Sequence, residues 1–129
     1  MLKKEWRIRS NADFRRIYRA GKAVPGKYLV LFKKENGIDS TRFGFSVSKK
    51  IGNAVVRNRR KRLLREISRK YSCYIKKGYD IIVVARVVED KNLSFKELEK
   101  DFARLLKKGG LLEEGCLDGN MSKSNYISC

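Results

Sequence analysis

Ser46-Val47-Ser48-Lys49-Lys50-Ile51-Gly52-Asn53-Ala54-Val55-Val56-Arg57-Asn58-Arg59-Arg60-Lys61-Arg62-Leu63-Leu64-Arg65-Glu66-Ile67-Ser68-Arg69-Lys70 is the stretch whose reading decides the fold. A strand is expected to end at the two lysines, with Gly52 turning the chain. Asn53 suits a helix N-cap, because its short side-chain oxygen can accept an orphan backbone N–H. At about 100° per residue, Val56, Leu63, Leu64, Ile67 and Tyr71 share one face of that helix. Asn58, Lys61, Arg62, Arg65 and Arg69 lie opposite, with Arg57 and Arg59 on the flanks. Between Lys49 and Lys70 there are ten Lys and Arg residues and one acid, Glu66. A charge run is most often a solvated face, but solvated faces usually mix signs to avoid self-repulsion. This one does not. Arginine forks aimed at the phosphates of a polyanion account for it better.

The whole chain points the same way. Its 129 residues suit one domain with a modest core. It carries 32 Lys and Arg against 14 Asp and Glu, a net charge of +18. Self-repulsion of that size is relieved when a polyanion docks. No apolar run approaches the twenty or so residues of a membrane span, and Met1-Leu2-Lys3-Lys4-Glu5 leads into no hydrophobic segment. A cytoplasmic protein with neither span nor signal peptide is the expectation. Cys73, Cys116 and Cys129 are odd in number and widely spaced, so free thiols are expected, with no disulfide framework and no metal site. There is no histidine, the commonest general base, and the acids are too scattered for a two-metal nuclease. No catalytic residue is expected on the chain itself.

Working outward from the basic helix, residues 1–10 are basic and extended, with Trp6 as an apolar pin. A first helix is expected from an Asn11 cap to Gly21. Phe14, Ile17 and Tyr18 share one face and Arg15, Arg16 and Arg19 the other, and periodicity alone favours core packing for the aromatic pair. Pro25-Gly26 marks a turn. A strand over Tyr28–Phe32 is expected to join, through a hairpin connection at Glu35–Ser40, a strand over Arg42–Ser48. In the latter, Phe43, Phe45 and Val47 alternate with Gly44, Ser46 and Ser48. Tyr79–Val88 reads as a buried strand. Ser94-x-x-Glu97 opens a third helix whose apolar face is Phe95, Leu98, Phe102, Leu105 and Leu106, stopped by Gly109-Gly110. The order is α-β-β-α-β-α: an α+β, two-layer sandwich over residues 1–110, followed by a tail over 111–129 with no readable period.

Arg42-Phe43-Gly44-Phe45-Ser46-Val47 brushes against the RNA-recognition-motif signature. It lacks the first glycine, Ser46 interrupts it, and the order of elements is wrong. Composition alone would equally suit a ribosomal RNA-binding protein. A DNA architectural protein fits less well, since aromatic residues beside a basic helix suit unpaired bases.

The run from Ser46 to Glu66, with Arg57-Asn58-Arg59 at its centre, resembles the signature of the bacterial ribonuclease P protein component. The resemblance extends to Asp13-Phe14-x-x-Ile17-Tyr18-x-x-Gly21 and to Gly78–Arg86, covering about Arg7 to Leu111. It implies an α+β fold with a left-handed βαβ crossover around the basic helix. It also implies the small subunit of a ribonucleoprotein that removes the 5′ leader from precursor tRNA, the large RNA subunit performing the hydrolysis with Mg2+. By motif, the residues meeting the ribonuclease P RNA would be Lys49, Lys50, Asn53, Arg57, Asn58, Arg59, Lys61, Arg62 and Arg65. Phe14, Tyr18 and Phe32 would line a cleft for the single-stranded leader, where bases stack on rings at about 1–3 kcal/mol each. Arg60 departs from the pattern: it falls in the apolar arc and must carry its guanidinium outward or add a phosphate contact.

Overall fold

The computed structural model describes residues 7, 8, 10–88 and 93–112. Within them the elements run α1 (Asn11–Ala20), β1 (Lys22–Pro25), β2 (Leu29–Glu35), β3 (Arg42–Ser46), α2 (Ala54–Tyr71), β4 (Tyr79–Ala85) and α3 (Phe95–Lys108). The α+β order expected from the residues is present, with β1 added. That strand escaped notice because it is four residues long and only Val24 in it is buried. Trp6, residues 89–92 and residues 113–129 lie outside the described residues. Of the stretch expected to be tail, Leu111 and Leu112 pack in the core, and Lys76 N–H donates to the Leu111 carbonyl.

The four strands lie in the order β1-β2-β4-β3. β4 is antiparallel to β2 and parallel to β3. The expected β2–β3 hairpin is therefore corrected. Asn36-Gly37 does turn the chain, with Gly37 at φ 72°, but β4 enters between the two strands. A parallel neighbour cannot be reached by a tight turn, so α2 becomes the crossover from β3 to β4.

Strand alternation then sorts the core. Leu29, Leu31, Phe43, Ile81, Val83 and Ala85 turn to one face, where they meet Leu64, Ile67 and Tyr71 of α2 and Leu98, Phe102, Leu105 and Leu106 of α3. Ile82 turns to the other face against Ile17 of α1 and Ile8, with Phe14, Phe32 and Val84 packed around them. The apolar stripe read for α2 holds, with Val56 and Leu63 half-buried at its edge. Arg60 does not reach solvent as expected: it is buried, at 6% exposure, because its position faces the packed side of the helix. Cys73 takes part in a disulfide, so the expectation of free thiols does not hold for it.

The helix ends follow local chemistry. Ser10, not Asn11, caps α1, accepting from the Ala12 and Asp13 amides. Asn53 caps α2 through Val56 N–H at 3.0 Å, and Ser94 caps α3 through Glu97 N–H at 3.2 Å.

Two buried carboxylates tie the elements together. Asp101 of α3 is 1% exposed and accepts from the Lys27, Tyr28 and Leu29 amides at 3.2, 2.9 and 3.0 Å, holding the β1–β2 turn. Asp80, 2% exposed at the start of β4, accepts from Arg42 Nε at 2.9 Å and Nη2 at 2.6 Å, and from Asn36 Nδ2 at 2.9 Å. Burial pushes both carboxyls upward, but the donated hydrogen bonds outweigh it, and both end below the ordinary carboxylate range. Folded-state values below the unfolded value of about 3.9 mean stabilisation that is present at neutral pH. It is lost as pH falls through the folded-state values. Urea denaturation from pH 7 downward should show stability holding to about pH 4 and falling below it, with a shallower acid loss in Asp80→Asn. At neutral pH that substitution should cost toward the lower end of about 3–5 kcal/mol, since Arg42 keeps some access to water.

Candidate nucleic-acid interface

The crossover puts α2 on the outside of the molecule with its apolar stripe turned in. Its opposite face is therefore presented as the sequence pattern requires. Asn58, Arg62, Arg65 and Arg69 line an open groove of ≈ 410 Å³ together with Glu66. Asn58, Arg59 and Arg62 are exposed, while Arg57, Lys61 and Arg65 are half-buried. Lys49 and Lys50 stand exposed in a single 3-10 turn, Lys49–Ile51, just ahead of the helix. The Asn53 side-chain oxygen is engaged in capping.

The aromatic residues lie on the other sheet face, under α1. Phe14 and Tyr18 have ring centroids 6.3 Å apart, and Tyr18 meets Phe32 edge-on at 4.9 Å. Phe14 and Phe32 are half-buried and Tyr18 is 38% exposed, whereas Ile17 between them is fully buried. One turn of α1 therefore divides its apolar residues: Ile17 anchors the helix, and the Phe14, Tyr18 and Phe32 rings form a partly exposed aromatic cluster beside it.

Gly44, to which the sequence alone assigned no part in the site, belongs to the same region. It lies beneath Phe14, and a Cβ at position 44 would come within 2.6 Å of the Phe14 ring. Alternation placed Gly44 on the face opposite Phe43, but only the fold shows what that face meets. Asp13 and Arg42 are likewise found only in the structure. Asp13 accepts from Arg16 at 2.6 Å and lies 3.9 Å from the Arg42 guanidinium, which itself holds Asp80. That chain of charges ties the first turn of α1 to the sheet beside the cleft.

The two surfaces meet at the β3 edge of the sheet. Lys61 and Arg65 of α2 line a hollow of ≈ 240 Å³ shared with Arg7, Ile8, Phe14, Phe43, Gly44 and Phe45. Arg65 thus lines both the cationic groove and the hollow that holds Phe14. Lys49, Lys50, Asn53, Arg57 and Arg59 line neither hollow. Among the described residues, no three His, Cys, Asp or Glu side chains come together as a metal site requires. No described helix is long and apolar enough to cross a membrane.

An arginine-faced crossover helix, set against a sheet whose other side carries an aromatic cluster, marks a basic α+β protein with the features of an RNA-binding protein. Known proteins place the chain more narrowly. The family model described as Ribonuclease P matches residues 2–110. The Ribonuclease P protein component of Syntrophomonas wolfei is 45% identical over 111 residues, covering 86% of this chain and 92% of that one. That of Clostridium novyi is 48% identical over 112 residues, covering 85% and 98%. The solved RNase P protein of Staphylococcus aureus superposes with a TM-score of 0.76 at 38% identity, covering 84% and 98%. The chain belongs to the Ribonuclease P protein family, as the run around Arg57-Asn58-Arg59 led one to expect.

The cleft geometry makes a stability prediction. Ile17→Ala should cost about 2–5 kcal/mol through lost burial and a cavity. Tyr18→Ala should cost a small fraction of that in the same melt, since its ring is already partly in water. Equal losses at the two positions would return Tyr18 to the core.

Proposed function

We propose that this chain is the protein subunit of a ribonucleoprotein that cuts the 5′ leader from precursor tRNA. It docks on the RNA subunit through α2 and holds the leader in the α1 cleft. The observation that carries the reading is the sharing of Arg65 between the two surfaces. A strand leaving the phosphate-binding face of α2 can pass the β3 edge and enter the row Phe14, Tyr18 and Phe32 without losing contact with protein. Membership of the Ribonuclease P family supports the same assignment.

The chemistry fits this division of labour. Arg57, Arg59, Arg62 and Arg65, with Lys49, Lys50 and Lys61, offer fixed positive charge to phosphates. Asn53 and Asn58 add neutral donors. The three rings offer sequence-tolerant stacking to unpaired bases. The RNA-facing donors are arginine, lysine and amide, with Glu66 the one acid lining the groove. In this reading Mg2+ is held mainly by the RNA subunit, where it would supply the hydrolytic chemistry. The chain's own part is to bind, orient and neutralise. A cytoplasmic location is the one that suits these two RNA partners.

Two measurements test this. Added to the RNA subunit and precursor tRNA at near-limiting Mg2+, the protein should raise cleavage at the leader junction, whereas a merely structural RNA-binding protein would leave the rate unchanged. In the assembled complex, Phe14→Ala and Tyr18→Ala should each weaken precursor binding by about 1–3 kcal/mol while leaving mature tRNA, which has no leader, nearly unaffected. Equal losses for both RNAs would disprove the cleft assignment.

A further inference from the structure

A second surface remains after α2 and the cleft have been accounted for. Every exposed position of α3 is a cation: Lys96, Lys100, Arg104, Lys107 and Lys108. The helix also carries three acids, and all three are turned inward and engaged. Glu97 accepts from Tyr28 Oη and Ser94 Oγ, Glu99 accepts from Tyr71 Oη and pairs with Lys70, and Asp101 holds the β1–β2 turn. Lys27, whose amide is bound by Asp101, continues the exposed cations onto that turn.

This arrangement is costly for a helix that faces only water. Lys96, Lys100, Arg104 and Lys108 follow one another at i, i+4, a spacing at which like charges repel. Cations in the last turn are favoured by the helix dipole, which accounts for Lys107 and Lys108 but not for Lys96 or Lys100 near the other end. Successive members of the row rise about 6 Å along the axis on a gently winding ridge; Arg104 pairs with the buried Asp101, and no exposed acid stands beside the lysines.

We propose that the outer face of α3 is a second docking surface for the phosphodiester backbone of the RNA subunit, separate from the α2 contact. The identity of the partner follows from the layering. α3 lies beside α2 on the same face of the sheet, where Phe102 meets Tyr71 edge-on at 5.8 Å. A large folded RNA seated on α2 is within reach of α3. The cleft proposed for the substrate leader lies on the opposite face, under α1. The inference rests on the reading of α2 as the principal RNA contact, and the experiment separates the two.

The test compares the full chain with Lys96→Gln/Lys100→Gln/Lys107→Gln and with Arg62→Ala/Arg65→Ala, measuring affinity for the RNA subunit over a salt series. The glutamines keep helix propensity and remove repulsion, so thermal stability should be unchanged or higher. The expected result is a log K against log salt slope shallower by about 2 to 2.7, from three contacts at about 0.7–0.9 each. A triple Lys→Arg variant should restore it. An unchanged slope in the glutamine variant alongside a reduced slope in Arg62→Ala/Arg65→Ala overturns the proposal and leaves the α2 reading standing. No change in either variant overturns both. A glutamine variant that keeps its affinity for the RNA subunit, but loses affinity for precursor tRNA in the assembled complex, overturns the choice of partner.

Discussion

Arg42 and Asp80 face each other as register partners where β3 and β4 begin to run side by side, and the rest of the molecule is organised from that pair. The guanidinium fork meets a carboxylate that is almost wholly out of water, and such a pair is strong only when its remaining lone pairs are satisfied. Asn36 supplies the further bond, from the start of the β2–β3 connection, and bonds the Ser40 carbonyl as well. Asp13 brings the first turn of α1 to the outer side of the same guanidinium. One buried charge pair thus fixes the start of two parallel strands, the loop that precedes them and the helix that lies across them.

Fixing β3 beside β4 has a consequence for function. Parallel neighbours demand a long connection, and here that connection is the arginine-rich α2. The sheet then separates two chemistries. The long cationic faces of α2 and α3 lie on one side, and the partly exposed rings of Phe14, Tyr18 and Phe32 lie under α1 on the other. The two meet around the β3 edge, where Gly44 leaves room for Phe14 and Arg65 shares a hollow with Phe43 and Phe45. Phosphates and bases of one strand need different partners, and the layered fold offers them in adjacent places.

Charge is sorted with the same economy. The acids that the fold uses, Asp13, Asp80, Glu97, Glu99 and Asp101, cap, brace or pair inside the structure. Among the described residues few are left to neutralise the surface, so lysine and arginine stand outward on all three helices, most densely on α2 and α3. A protein with this distribution carries self-repulsion that a docked polyanion relieves.

Much of this was legible before any coordinates. The 3.6-residue period of α2, the Asn53 and Ser94 caps, the inward face of α3 and the alternation of Phe43, Gly44 and Phe45 follow from local sterics and burial, which act over a few residues. The family, too, lay in the run around Arg57-Asn58-Arg59. The pairing of strands did not, because Asn36-Gly37 signals a turn equally well whether or not the flanking strands pair. Whether they pair depended on β4, more than forty residues away. The cap of α1 moved from Asn11 to Ser10 because two good capping residues stand side by side and packing chooses between them. Phe14 and Tyr18 could be read as core or as cleft, since an inward face has the same period in either case. Only the tertiary structure, by burying Ile17 on Ile82 and leaving the Tyr18 ring in part to water, divided the one from the other.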